Sequence, residues 1–210
     1  MEEISISFEN QHDIPLNIIY AGSDTLLTTF QKTKKGDIFI PGSTIYIKNL
    51  QGQATTNYHI ADHIPSFIVR SDNNKQLQTY TDLTMKGVKI AIGNKDMCAI
   101  GKVAEKIISE SKQQESFKHN IVVTGSTVNE LLSLVTKGEV DAALIWEDML
   151  HWPEAQGLKL ITIPESINSP KKIHLAVLAT TTAPKQAAIF TEFMKTQGRI
   201  IFAKHGFRVK

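Results

Sequence analysis

Three short turns in this chain carry residue types and spacings that could do chemistry. They are Ala21-Gly22-Ser23-Asp24-Thr25, Cys98-Ala99-Ile100-Gly101 and Thr124-Gly125-Ser126-Thr127-Val128. Each follows an apolar run that reads as a strand, and each opens a stretch with helical periodicity. The small residues let a backbone approach a ligand closely. A helix start presents free N–H groups and a partial positive charge. Several such ends meeting on one cavity would hold a phosphate-like oxyanion with no Lys or Arg in contact. Taken singly, each turn reads as structural, because Ser, Thr and Asp before a helix are ordinarily caps. Thr127 followed by Glu130 even fits a capping box. None of the three spells a Walker or dinucleotide fingerprint, which disfavours a nucleotide.

Other reactive groups form no coherent set. His59 and His63 have a spacing that suits a metal on a helix, but the segment runs into Pro65 and a strand. The Glu of a zinc-protease motif is absent there, so no residue is assigned as a direct cation ligand. Cys98, the single cysteine, lies near a helix start, where a thiol pKa can fall. A lone loop cysteine is more often inert. No Ser-His-Asp arrangement is evident in the order of residues. Trp146 ends a buried strand, where an indole is ordinarily core or cavity wall, although its N–H needs a partner.

The elements that must position these turns alternate strand and helix. Glu2 to Gln11 reads as a helix with Ile4 and Phe8 on one face, and Leu16 to Tyr20 as a short strand. A helical stretch bearing Leu26, Leu27 and Phe30 follows, then strands at Asp37 to Ile40 and Ser66 to Arg70. A βαβαβ unit comes next. Its strands are Val88 to Gly93, Asn120 to Val123 and Val140 to Ile145; its helices are Gly101 to Ser111 and Val128 to Lys137, stopped by Gly138. The chain closes with a strand at Ile173 to Leu178 and helices near Pro184 to Thr196 and Gly198 to His205. Continuous apolar strands between helices imply parallel sheets covered on both faces, an α/β fold.

Bulk properties bound the function classes. The chain has 210 residues, 41% apolar and 21% charged, enough for one large domain or two small lobes. Its 23 basic and 21 acidic residues give a net charge of +2, too balanced for a nucleic-acid binder. One cysteine allows no internal disulfide. No apolar run reaches membrane-spanning length, and the acidic start Met1-Glu2-Glu3-Ile4 lacks the character of a signal peptide.

In order and spacing, these segments resemble the molybdate-binding proteins of bacterial and archaeal ABC importers along almost the whole chain. Met1 to His12 is similar to that family's first helix, and Tyr20-Ala21-Gly22-Ser23-Asp24-Thr25-Leu26 to its serine-rich turn. Gly36-Asp37-Ile38-Phe39 resembles the family's Ala-Asp-Val-Phe strand. Lys86 to Asn94 resembles the strand and Gly-Asp turn that open the second lobe. Cys98-Ala99-Ile100-Gly101-Lys102 stands where many members have Pro-Ala-Gly. Lys137-Gly138-Glu139-Val140-Asp141-Ala142-Ala143-Leu144-Ile145-Trp146 is similar to Gly-Glu-Ala-Asp-Ala-Gly-Ile-Val-Tyr, and Ile201 to Phe207 to the family's ending.

The resemblance implies a two-lobed type II periplasmic-binding-protein fold, each lobe a mostly parallel sheet flanked by helices. It places lobe I at residues 1–65 and 175–210, lobe II at 66–174, and a hinge near 64–70 and 172–178. It implies a monomer that takes molybdate or tungstate between its lobes, without catalysis or cofactor, and passes it to an ABC importer permease in the periplasm or another extracytoplasmic space. Carried over by position, the oxyanion ligands are Ser23 through its hydroxyl, Ile100 and Val128 through backbone N–H, and Trp146 where the family has a tyrosine. Gly22, Ala99 and Thr127 flank them. The family's first strand and its serine-bearing turn have no counterpart before Met1. That departure implies free strand edges and one anion contact fewer, with a mis-called start or a trimmed chain as the simplest account. Two alternatives follow: a cytoplasmic oxyanion-sensing regulatory domain of the same fold, and a truncated homologue that no longer binds.

Overall fold

The computed structural model describes residues 1–209. The chain folds as two compact units: Met1–His63 with Lys171–Lys210, and Ile64–Pro170.

Unit 1 is built on a three-stranded sheet. Helices α1 (Glu2–His12) and α2 (Ser23–Thr33) precede β1 (Ile38–Phe39) and the short α3 (Thr44–Lys48). The long β2 (Ala54–His63) follows, and the chain returns after unit 2 as β8 (Lys171–Leu178). It ends in α7 (Pro184–Phe193), one π turn at Met194–Gly198, and α8 (Arg199–Lys204). The strand order is β1-β8-β2. Central β8 buries both of its faces, as the period-2 alternation of side chains requires. Ile173, Leu175 and Val177 pack with Phe8, Phe190, Phe193 and Phe202 on one side. Ala176 and Leu178 pack with Leu27, Phe30 and Leu50 on the other.

Unit 2 carries β3 (Pro65–Arg70), β4 (Ile90–Gly93), α4 (Ala99–Glu110), α5 (Gln114–Asn120) and β5 (Ile121–Gly125). Helix α6 (Val128–Thr136), β6 (Ala142–Trp146) and β7 (Leu158–Ile161) complete it. The sheet order is β5-β4-β6-β3-β7. One core surrounds it, with Ile90, Val103, Ile107, Phe117, Leu131, Val135 and Leu144 buried.

The α/β class with helix-flanked sheets is what the structure has. Strand direction and two local readings need correcting. Only β5-β4-β6 is parallel; β3 runs antiparallel to β6 and β7, and both pairs in unit 1 are antiparallel. Long apolar runs report burial on both faces, and β8 has that burial within antiparallel pairing. The expected strand Leu16 to Tyr20 is absent. Residues 13–22 form neither helix nor strand; half-buried and exposed positions alternate from Asp13 to Ile19, yet they join no ladder. Ile14 and Leu16 rest on the α1 side of the core, and the Leu16 N–H donates to Glu9 Oε1 at 2.9 Å. Alternation alone therefore does not mark a paired strand. Asn120 closes α5 instead of opening a strand, because its side-chain amide donates to the carbonyls of Leu83 and Met85.

Candidate functional site: helix starts at the strand ends

In unit 2 the ends of two parallel strands feed two helix starts. Gly93 and Gly125 are register partners on β4 and β5, and the Asn94 N–H donates to the Gly125 carbonyl at 2.7 Å. The turn from β4 into α4 is packed backbone on backbone. A Cβ on Gly93 would stand 2.7 Å from Ile100 Cγ2 and 2.8 Å from the Gly101 nitrogen. A Cβ on Gly101 would stand 2.5 Å from the carbonyl oxygens of Gly93 and Asn94. Glycine at both positions is what lets α4 begin directly over the strand end.

The start of α4 is open. Cys98 is its N-cap, a free half-buried thiol that makes no capping bond, and the first turn holds no acidic residue. The Gly101 N–H turns back to the Cys98 carbonyl at 2.9 Å. The N–H groups of Ala99 and Ile100 meet no acceptor among the described residues. Ile100 itself is fully buried in the unit 2 core, so its bulk is used in packing and only its N–H is offered.

The start of α6 is capped in part by its own side chains. The Glu130 N–H donates to Thr127 Oγ1 at 3.1 Å, and the Ser126 N–H donates to Glu130 Oε2 at 2.7 Å. This is the capping box expected from Thr127 and Glu130, with the carboxylate reaching one residue further back than the N-cap. The Ser126 hydroxyl is directed at Met97 Sδ, 3.6 Å away. Val128 is the first helical residue, and its N–H has no acceptor among the described residues.

Trp146 is the last residue of β6, 7% exposed and part of the unit 2 core. Strand β6 lies beside β4. Ala99, Ile100, Thr127, Val128 and Trp146 thus all sit at ends of adjacent elements in unit 2. Gly22 and Ser23 belong to unit 1. Gly22 is the N-cap of α2 and Ser23 its first residue. The Ser23 hydroxyl oxygen accepts from the Gly42 N–H at 3.2 Å. Its own proton therefore remains available to an acceptor.

The histidine pair lies on β2, not on a helix. His59 Nε2 bonds Asp62 Oδ1 at 2.8 Å, and His63 packs on the Phe207 ring. No group of three or more His, Cys, Asp or Glu side chains among the described residues is placed to hold a metal ion. No described helix is long and apolar enough to cross a membrane. Glu130 is the charged residue beside these turns that motif reading left in a purely structural role. Its signal, the Thr-x-x-Glu spacing, was visible, but the spacing does not tell that its charge has no cationic partner among the described residues.

Comparison with known proteins gives this geometry a family. A provisionally named binding protein of Haemophilus influenzae is 28% identical over 210 residues, covering 99% of this chain and 85% of that one. The substrate-binding domain of a provisionally assigned molybdenum ABC transporter from Clostridium difficile superposes with a TM-score of 0.89 at 21% identity, covering 100% and 93%. The periplasmic molybdate-binding protein of Azotobacter vinelandii does so with a TM-score of 0.73 at 16% identity, covering 100% and 94%. At these identities the solved structures establish the fold, and others that share it are named for sulfate, iron or fructose-6-phosphate. The family description matches residues 1–208, and the chain belongs to the bacterial extracellular solute-binding proteins.

Proposed function

We propose that this chain captures a tetrahedral oxyanion, molybdate or tungstate, outside the cytoplasm and delivers it to an ABC permease. The observation that carries the reading is the start of α4: two consecutive backbone N–H groups without acceptors, on a turn held rigid by Gly93 and Gly101. Preorganised donors without a side-chain charge suit a compact oxyanion. The donors assigned to it are the N–H groups of Ile100 and Val128, the Ser23 hydroxyl, and the Trp146 indole N–H in place of a tyrosine hydroxyl. Gly22, Ala99 and Thr127 supply the backbone around them. Two solved proteins of the same fold are named for molybdenum or molybdate, which favours this anion over the other cargoes of the fold. The proposal includes a monomer without cofactor, in the periplasm, with a hinge near residues 64–70 and 172–178.

Calorimetric titration with molybdate, tungstate, sulfate and phosphate tests it. The expected result is saturable heat at one equivalent with molybdate and tungstate, and none with sulfate. Heat with sulfate alone would reassign the cargo. Silence with all four would overturn the reading.

A further inference from the structure

The oxyanion reading leaves one charged group unaccounted for. Glu130 folds back over the start of α6 and takes the Ser126 N–H at 2.7 Å. The carboxylate lies against the strand end: a Cβ on Gly125 would be 3.3 Å from Glu130 Oε2. No cation pairs with it among the described residues. Val128, whose N–H is assigned to the anion, stands two residues from each of Ser126 and Glu130. The first turn of α4 holds no such carboxylate. A full negative charge is therefore fixed beside the Val128 donor.

We infer that Glu130 is a specificity-determining residue that sets how much negative charge the site accepts. This rests on the oxyanion reading above. A carboxylate within a few ångströms repels a dianion twice as strongly as a monoanion of the same shape, because Coulomb energy scales with the product of the charges. It also weakens the attraction of the α6 dipole for any anion, since it already neutralises part of it. Size and hydrogen-bond geometry are separate from this effect. Two tetrahedral ions of nearly equal size, tungstate with charge −2 and perrhenate with charge −1, isolate the charge term.

Glu130→Gln is the test, because glutamine keeps an acceptor oxygen for the Ser126 N–H and removes the charge. Wild type and variant are titrated with tungstate and with perrhenate. The expected result is tungstate affinity raised on the order of tenfold and perrhenate affinity by roughly threefold, half as much on a logarithmic scale. Glu130→Ala drops both cap and charge; it shows the same ordering of gains even with a lowered melting midpoint, so a loss of stability cannot mimic the effect. Equal gains for the two ions, or none while wild type binds tungstate, overturn the role of Glu130 and leave the oxyanion reading standing. Silence of wild type and both variants with tungstate overturns the oxyanion reading and the role of Glu130 together.

Discussion

The starts of α4 and α6 grow from adjacent parallel strands of one sheet, yet only α6 has a side-chain cap. Helix α6 is capped by its own Thr127 and Glu130, which take the Glu130 and Ser126 N–H groups and leave the Val128 N–H without an acceptor among the described residues. Helix α4 has a cysteine at its N-cap, no acid in its first turn and no side-chain cap. A cap of the α6 kind contributes about 1 kcal/mol to a helix. The α4 start forgoes that stabilisation while its backbone is fixed by two glycines that tolerate no Cβ. A helix end held rigid but left unsatisfied is the arrangement a ligand can complete. Between the two, α4 begins with no side-chain cap, and α6 begins with a carboxylate of its own beside its free donor.

The largest effect that could break this comparison is loss of the α4 turn itself. Gly101→Ala puts a methyl 2.5 Å from two backbone carbonyl oxygens, which cannot yield as side chains do. We expect a stability loss of about 3 kcal/mol or more, read as a shifted urea midpoint. An unchanged midpoint would mean that the turn is not rigid.

Next in size, Cys98→Asp installs at α4 what α6 already has. The account expects weaker oxyanion binding, by about tenfold or more, with unchanged or raised thermal stability. Binding that survives at full strength would remove α4 from the site. A smaller contrast separates the two caps without any ligand. Thr127→Ala should cost about 1 kcal/mol, whereas Cys98→Ala should cost under about 0.5 kcal/mol, because there is no capping bond to lose. Equal costs in chemical denaturation would erase the difference.

The smallest expected effect lies in unit 1. Backbone donation from Leu16 and the Ser5 hydroxyl hold the Glu9 carboxyl below its ordinary range. A folded-state pKa that is lowered means that this tie is intact above the ordinary carboxylate range and lost as pH falls through the lowered value. Amide exchange at Leu16, corrected for its intrinsic pH dependence, should accelerate on acidification. A flat corrected rate would mean that Glu9 does not hold the segment.

Much of this organisation was readable from the residues. Helical spacing located α1, α4 and α6, and apolar runs located β3, β4, β6 and β8, because burial of a face leaves a periodic signature. Thr127 and Glu130 announced their capping box. Pairing direction was not readable. The apolar run of β8 reflects two packed faces, and nothing in Ile173 to Leu178 says that its neighbours run the other way. Residues 14–20 have the alternation of a strand, but a ladder needs a partner edge that local sequence does not encode. Helix α5 went unread because its seven residues, Gln114–Asn120, are mostly polar with Phe117 as the main anchor. At the candidate site, the turns were legible as turns. What distinguishes a capped helix start from an uncapped one is where the Glu130 carboxylate folds, and that is set by the three-dimensional packing.

The most direct test of the account is a nitrogen–proton correlation NMR titration of the backbone amides with molybdate. The account predicts that the Ala99, Ile100 and Val128 amide protons move downfield to saturation at one equivalent, because they gain an acceptor. The Gly101 amide, already bonded to Cys98, should move less. Saturable binding in which none of the amides of Ala99, Ile100 or Val128 responds would contradict it.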